Sequence, residues 1–398
     1  MLDPEEQRAV EAVLRRFADR IDGVLFTGEG ADGDLSRVPG LLAEAQALDL
    51  VADAMAGAPG YELGVWGTHC WAEGAARSLL ALAHLGEACA GLAAAVHAQG
   101  LACLALARHN AGHPEGEAGW APGRWLATAC LPGYGIPLSA RLGPEGSGLW
   151  LAGGGDRPTL SGTAHFLLAA GPPEMLVCFA QLLGREGTGQ EWACVTVDAR
   201  AGGVELADVG PRTGLRAARQ LHLHCEGVAV SPEQVLCTGD AARRRLAQVL
   251  ACDWLGQAAI ALGVARRSLW DSRAYTAQRI QGGRIIEEHA GVQLLQGTAE
   301  YDVAVLEAIL FRNAGEPLTT LEAVALLRWA LAARLTVVEH AHRAVTHCLQ
   351  TLGGYGYMED YRLEKRLRDV STLKSLHGAP DQLRLYLNEL ARGQRPDA

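Results

Sequence analysis

The stretch Gln350-Thr351-Leu352-Gly353-Gly354-Tyr355-Gly356-Tyr357-Met358-Glu359-Asp360-Tyr361, with Glu364-Lys365-Arg366 and Arg368-Asp369 just beyond it, decides how this chain is read. A long, mostly apolar helical pattern over residues 319–349 runs into it, and three glycines within four positions then break that pattern. Glycines this close together let a backbone turn sharply and let another group come near it. Aromatic and charged side chains follow at once. Taken alone, the segment is either a helix cap with a surface turn or a place where something docks.

Outward from that stretch, the composition is that of a globular enzyme. A chain of 398 residues is long enough for two or three domains. About half of it is hydrophobic and a fifth charged, and the net charge of −10 argues against a nucleic-acid surface. Ten cysteines are scattered without a Cys-x-x-Cys, several of them (Cys89, Cys103, Cys178, Cys252) in apolar runs. Reduced buried thiols account for them better than a disulfide framework. The acidic start, Met1-Leu2-Asp3-Pro4-Glu5-Glu6, has no signal-peptide pattern, so a cytoplasmic location is expected. The longest apolar region, residues 79–107, carries His84, Glu87, His97 and Gln99 and is expected to be buried helix and not a membrane span.

The texture of the chain changes twice. Val10, Val13, Leu14 and Phe17 fall at helical spacing after an Asp-Pro-Glu-Glu start, and alanine- and leucine-rich helices are expected over 38–48 and 72–107. Residues 109–123 hold glycines and prolines without an apolar period, which marks a boundary. Short apolar runs between glycine-rich turns follow, at 125–128, 148–152, 175–182 and 192–197, with alternation at 220–225. They predict an antiparallel β-sheet or barrel. From residue 241 the pattern is helical again, over 241–280, 287–312 and 319–352. The expected architecture is α+β and multi-domain: a helical unit over 1–122, a β unit over 123–240 and a helical bundle over 241–398.

The glycine stretch resembles the C-terminal signature of the acyl-CoA dehydrogenase family, a Gln-x-x-Gly-Gly-x-Gly-Tyr segment followed by an Arg-Asp pair. Gln350, Gly353, Gly354, Gly356, Tyr357, Glu364, Arg368 and Asp369 match. The resemblance implies that Gln350, Gly353, Gly354, Gly356 and Tyr357 approach the adenosine diphosphate half of an FAD held mainly by a neighbouring subunit. It gives Arg279 the role of the family's pyrophosphate-binding arginine, in Arg279-Ile280-Gln281-Gly282-Gly283, where Gly282 stands in place of a phenylalanine. In the β unit the family's flavin-contacting loop corresponds to Cys130–Pro137, of which Pro132 and Gly135 survive. Its Trp-x-Thr beside the flavin ring corresponds to Phe166-Leu167-Leu168, without a hydroxyl.

The reaction implied is FAD-dependent α,β-dehydrogenation of an acyl-CoA thioester, as in fatty acid metabolism. Electrons would pass to an electron-transfer flavoprotein, and the assembly would be a homotetramer or a mixed tetramer. Such a reaction needs a base at the α-carbon. The family's commoner base position corresponds to His377, just before Gly378. A second family solution corresponds to Asp253, the only acid between Asp240 and Asp271 in an almost wholly apolar stretch, where burial is expected to raise its pKa into a useful range. Asp253 paired with an arginine, or His377 as a plain loop residue, are the structural alternatives. If neither is a base, the chain is a silent subunit that lends its glycine segment to a partner's FAD, or a flavin enzyme of the same fold with another reaction. His222-x-His224-Cys225 and His340-x-His342 lack the companions a metal site needs, so no metal is expected.

Overall fold

The structure is a computed structural model and describes residues 4–26, 32–53, 62–110, 126–129, 148–153, 157–183, 191–318 and 320–392. The N-terminal part is helical: α1 (Pro4–Leu25), α2 (Val38–Ala47), α3 (His69–Glu73), α4 (Ala76–Ala88) and α5 (Ala90–Asn110). Over 72–107, where the sequence predicts alanine- and leucine-rich helices, the chain breaks twice. Gly74 adopts φ 87°, and Cys89 is extended between α4 and α5.

Eight strands follow: β1 (Leu126–Ala129), β2 (Leu149–Ala152), β3 (Thr159–Ala169), β4 (Met175–Leu183), β5 (Glu191–Asp198), β6 (Val204–Asp208), β7 (Arg219–Ala229) and β8 (Val235–Thr238). They form one sheet in the order β6-β7-β3-β1-β4-β5-β8, with β2 also paired to β3 and β4. The sheet is mixed and not purely antiparallel as expected. β1 and β2 lie end to end between β3 and β4, with Ala127 opposite Ala169 and Leu176 at one end and Leu151 opposite Leu160 and Leu182 at the other. Because β3 and β4 run in opposite directions, any strand inserted between them must be parallel to one of them. β3 is irregular, with register shifts between Leu160 and Gly162 and between Ala164 and Leu167. Phe166 sits in the second irregularity at φ 60°.

The C-terminal part contains α6 (Gly239–Thr276), a two-stranded hairpin of β9 (Ile280–Gln281) and β10 (Arg284–Ile285), then α7 (Ala290–Phe311), α8 (Ala323–Thr351), α9 (Leu363–Ser375) and α10 (Pro380–Arg392). The expected boundary at 122/123 lies outside the described residues, and that at 240/241 falls in the first turn of α6.

α6 is the centre of the molecule. Every residue from Arg245 to Ala265 is buried, so the helix is apolar on all sides and packed on all sides. It is the one helix among the described residues long and apolar enough to cross a membrane, and it lies inside the protein. Small residues let it pack closely. A Cβ on Gly263 would lie 2.0 Å from the carbonyl oxygen of Ala83 on α4, and one on Gly86 would lie 2.5 Å from that of Ile260. The two backbones cross at these paired glycines.

Overpacking a crossing of this kind costs about 1–3 kcal/mol. Gly263→Ala should therefore lower the free energy of urea-induced unfolding by that amount. Gly297→Ala, on α7 with nothing within 4 Å of the added carbon, should leave it unchanged or raise it by up to about 1 kcal/mol.

Candidate active site

Asp253 lies at the middle of α6 with its carboxylate fully buried. Three groups reach it. His97 on α5 approaches Oδ1 with Nε2 at 3.1 Å. His377, in the turn between α9 and α10, approaches Oδ2 with Nδ1 at 2.8 Å. Gln257, one turn along α6, donates Nε2–H to Oδ2 at 2.9 Å. Gly256 makes room for the first of these, since a Cβ there would lie 2.2 Å from Cε1 of His97.

The hydrogen-bond chain continues past both histidines. The indole Nε1–H of Trp66 donates to His97 Nδ1 at 2.8 Å. His377 Nε2 meets the carbonyl oxygen of Phe166 at 3.1 Å. One polar chain, Trp66–His97–Asp253–His377–Phe166, thus links the N-terminal helices, α6, the α9–α10 turn and β3. Trp66, Phe166 and His377 are three of the six non-glycine residues with positive φ among the described residues. Backbone of that kind costs roughly 1–3 kcal/mol each and persists where the surroundings over-determine it.

The partners fix the protons. Indole can only donate, so His97 Nδ1 is an acceptor and its Nε2 carries the hydrogen given to Asp253. His377 Nδ1 lies 2.8 Å from the Asp253 carboxylate and 3.2 Å from the Gln257 amide nitrogen, and its Nε2 faces a carbonyl oxygen. The carboxylate is the nearer partner of Nδ1, and with the carbonyl at Nε2 this arrangement favours the ring protonated on both nitrogens. Asp253 receives three donors and is a carboxylate. Burial alone would raise its pKa, but the His377 charge and the hydrogen bonds from His377 and His97 outweigh burial and hold it well below the usual range. Burial would lower the His377 pKa, yet contact with Asp253 raises it.

Arg334 on α8 completes the charged group. It is fully buried and donates Nη2 to the carbonyls of Leu373 and Leu376 at the end of α9, while its Nε and Nη1 have no partner among the described residues. Burial pushes its pKa down to about 10, with Asp253 opposing.

These contacts correct two expectations. Asp253 is not placed to act as a base: it is sealed from solvent, its oxygens are occupied, and its pKa is lowered where the sequence argument had it raised. His377 is not a neutral imidazole at rest. Its partners are a carboxylate and a carbonyl, not solvent. His97, Gln257 and Arg334 escaped the sequence reading. An arginine flanked by apolar residues in α8 was the available signal for Arg334; nothing near His97 distinguished it from any buried histidine.

The glycine segment forms a second region. α8 ends at Leu352, Gly353 takes φ 58°, and a 3₁₀ turn runs over Gly353–Tyr357. Gln350, Gly353, Gly354 and Tyr357 are exposed, Tyr357 to 82%. Gly356 is buried, and a Cβ there would lie 2.3 Å from the carbonyl of Leu349, so packing within the chain explains that glycine. Nothing lies within 4 Å of a Cβ on Gly354 and its φ is ordinary, so nothing within the chain requires it.

A cleft of about 590 Å³ opens beside this segment, lined by Tyr275, Arg279, Tyr361, Arg267, Arg362 and Arg366 among others. Arg267 and Arg362 pair with Asp22, and Arg366 with Asp271. Arg279 has no carboxylate partner among the described residues; its guanidinium stands 5.4 Å from the Tyr355 ring. Glu364, Arg368 and Asp369 work inside the chain. Arg368 bridges Glu364 and Asp32, and Asp369 accepts from Lys365 and the Leu215 backbone. Pro132 and Gly135 lie outside the described residues. Phe166 gives its carbonyl to His377 and sets its ring 5.1 Å from that of His222. The two regions sit far apart: from Asp253 to the end of α6 at Thr276 is about 35 Å at about 1.5 Å per residue.

Comparison with known proteins supports the fold. Residues 247–389 match the family model described as acyl-CoA dehydrogenase, C-terminal domain. The short-chain specific acyl-CoA dehydrogenase of Clostridium acetobutylicum is 27% identical over 241 residues, which cover 59% of this chain and 61% of that protein. The acryloyl-CoA reductase (NADH) of Anaerotignum propionicum is 26% identical over 227 residues, 56% of this chain and 55% of that one. The sequence match thus spans a little over half the length of these relatives. The structure of butyryl-CoA dehydrogenase from Megasphaera elsdenii superposes with a TM-score of 0.76 at 18% identity, covering 98% of this chain and 99% of that chain.

The ion pair has a pH signature. Because the His377 pKa is raised in the folded protein, its stabilisation is complete below the unfolded value of about 6.5 and is lost as pH rises through the folded value. Asp253, lowered, gives stability that is lost only as pH falls through its depressed folded value. In melting experiments from pH 6 upward the wild type should lose stability with pH, and His377→Gln should flatten that slope. A mutant as steep as the wild type would contradict the assignment.

Proposed function

We propose that the chain is a flavin oxidoreductase of the acyl-CoA dehydrogenase family and acts at the Cα–Cβ bond of an acyl-CoA thioester with FAD as its cofactor. The observation that carries the proposal is the Asp253–His377 pair, a charged proton-handling group shut away from water at the meeting of α6, the α9–α10 turn and β3. The resemblance gives His377 the family's commoner base position.

The residues of the second region fit the diphosphate half of the cofactor. Arg279 is an exposed guanidinium without a carboxylate partner, suited to a phosphate. Gly354 is a glycine that nothing within the chain demands, as expected where an outside group comes close. Gln350, Gly353 and Tyr357 surround them with exposed polar groups and backbone. A single dinucleotide does not span the roughly 35 Å of α6 between this region and Asp253. The cradle of one chain therefore serves the reaction site of another, in a homotetramer or a mixed tetramer.

When bound, flavin supplies the two-electron redox chemistry. The chain supplies the rest: His377 moves the α-proton, Asp253 holds its charge, and His97 with Trp66 fixes the orientation of Asp253. An acyl chain lying between His377 and β3 must displace the Phe166 carbonyl from Nε2. Electron exchange with an electron-transfer flavoprotein and a cytoplasmic setting complete the proposal.

The His377–Phe166 bond also favours a second reading. It closes the gap an acyl chain would need, as in a silent subunit that lends residues 350–357 to a related partner's FAD. Absorbance of the purified chain in the flavin bands, and its bleaching by acyl-CoAs without oxygen, separates the two. Flavin held only after co-expression with a related subunit would select the second.

Arg279→Ala and Gly354→Val should each lower flavin affinity by about 10- to 100-fold, the worth of one charge-assisted bond, measured as flavin-to-protein absorbance after dialysis. Full occupancy in both variants would refute the cradle.

A further inference from the structure

We propose that Cys194 and Cys237 are a modification site, at which a hydroperoxide converts two thiols into a reversible disulfide. The site is independent of the acyl-CoA chemistry proposed above. Among the described residues these are the one pair of cysteines that a strand register sets directly opposite each other, Cys194 on β5 and Cys237 on β8. Residues so opposed on antiparallel strands have Cα atoms about 4.5–5.5 Å apart, inside the roughly 4.4–6.8 Å that disulfides span. Both side chains lie on the face of the sheet that packs against the helical core, and the Cys194 thiol hydrogen-bonds Cys237. The bond forms within the existing strand spacing.

The surroundings suit a reacting pair and not two thiols that only fill space. β8 is a four-residue strand at the edge of the sheet. Leu236 is an extra residue in it, since Val195 pairs with Val235 while Cys194 pairs with Cys237. A bulge of this kind disrupts the ladder and re-aims side chains at an edge. Cys237 is half-buried and Cys194 fully buried, so a reagent from solvent meets Cys237 first. Arg245, in the second turn of α6, stands behind the pair. It is 8% exposed and hydrogen-bonds the Cys194 sulfur, while its Nε and Nη1 have no hydrogen-bond partner among the described residues. A buried guanidinium with donors unspent stabilises the anion that a reacting thiol must become. Burial holds the Cys194 thiol well above the usual range, and Arg245 opposes that effect. Cys194 therefore rests as a thiol, with the group that favours its ionisation already in contact.

Two steps complete the change. The Cys237 thiolate attacks the terminal oxygen of the hydroperoxide: an S–O bond forms, the O–O bond breaks, and the leaving oxygen anion takes up a proton. Cys237 is oxidised to a sulfenic acid and the peroxide is reduced. The Cys194 sulfur then attacks the Cys237 sulfur: an S–S bond forms, the S–O bond breaks, and hydroxide leaves with the Cys194 proton as water. With hydrogen peroxide, two thiols and one peroxide become one disulfide and two waters. The disulfide closes the chain that runs through β6 and β7, and it ties the edge strand to β5 where β8 passes into α6. An external dithiol reverses it by exchange at the half-buried sulfur of Cys237.

Peptide mapping of the full-length wild type tests this without any variant. The protein is reduced, freed of reductant without oxygen, treated with hydrogen peroxide at neutral pH, alkylated and digested without reductant for mass spectrometry. The peptides holding Cys194 and Cys237 should appear as one species, lighter by two hydrogen atoms than their sum, and dithiothreitol should return them to two. In Cys194→Ala the same treatment should leave Cys237 as a sulfenic acid that dimedone captures. Arg245→Gln should slow the cross-linking about 10-fold or more, the worth of one charge-assisted bond. Wild-type Cys237 recovered as a thiol, driven on to sulfinic acid, or joined to a cysteine other than Cys194 overturns the inference. Cross-linking as fast in Arg245→Gln as in the wild type removes Arg245 from it.

Discussion

A carboxylate with no access to solvent, held between two imidazoles, sets the terms for the rest of this molecule. Burying Asp253 is tolerable only if its charge is matched and its lone pairs are filled. The fold meets both conditions with residues far away in sequence: His97 is 156 positions before it and His377 124 positions after it. Meeting them fixes α5 against α6 at Gly256, holds the α9–α10 turn over the middle of α6, and pins the irregular part of β3 through the Phe166 carbonyl. Removing one partner from such a group is costly, about 3–5 kcal/mol, because a charge is left unpaired. A buried polar group of this kind specifies one arrangement of helices and sheet where apolar packing alone would tolerate several.

The second constraint is the length of α6. A helix of 38 residues carries the Asp253 group at its middle and ends beside Arg279 and the glycine turn. Its apolar surround and the glycine crossing with α4 keep it in the core as a rigid rod. The Asp253 group and the cleft beside the glycine turn are thereby held about 35 Å apart along the helix, at about 1.5 Å per residue. Tyr357, Met358, Trp270 and Leu294 are large apolar side chains left exposed on this chain.

Much of this was legible in the sequence, for identifiable reasons. The alanine- and leucine-rich runs and the short apolar segments carry their own period, so the order of helical, β and helical parts could be read directly. The mixed sheet could not, because the direction of β1 and β2 is set by the strands they slip between. β3 was missed because Gly162 and the irregularity at His165 and Phe166 interrupt its alternation. Asp253 was visible as a lone acid in an apolar helix, but its role was not. The sign of its pKa shift depends on His97 and His377, whose proximity no local pattern announces. The glycine turn proved to be two things at once. Gly353 and Gly356 answer to the helix end and its packing, which left Gly354 as the position for which the described residues offer no reason.

The central claim, that a buried carboxylate keeps His377 charged, concerns the positions of three hydrogens. Neutron diffraction from a perdeuterated crystal near pH 7.5 would locate them. The account predicts deuterium on both Nδ1 and Nε2 of His377, on Nε2 but not Nδ1 of His97, and on neither oxygen of Asp253. A single deuterium on the His377 ring, or one on the Asp253 carboxyl, would contradict it.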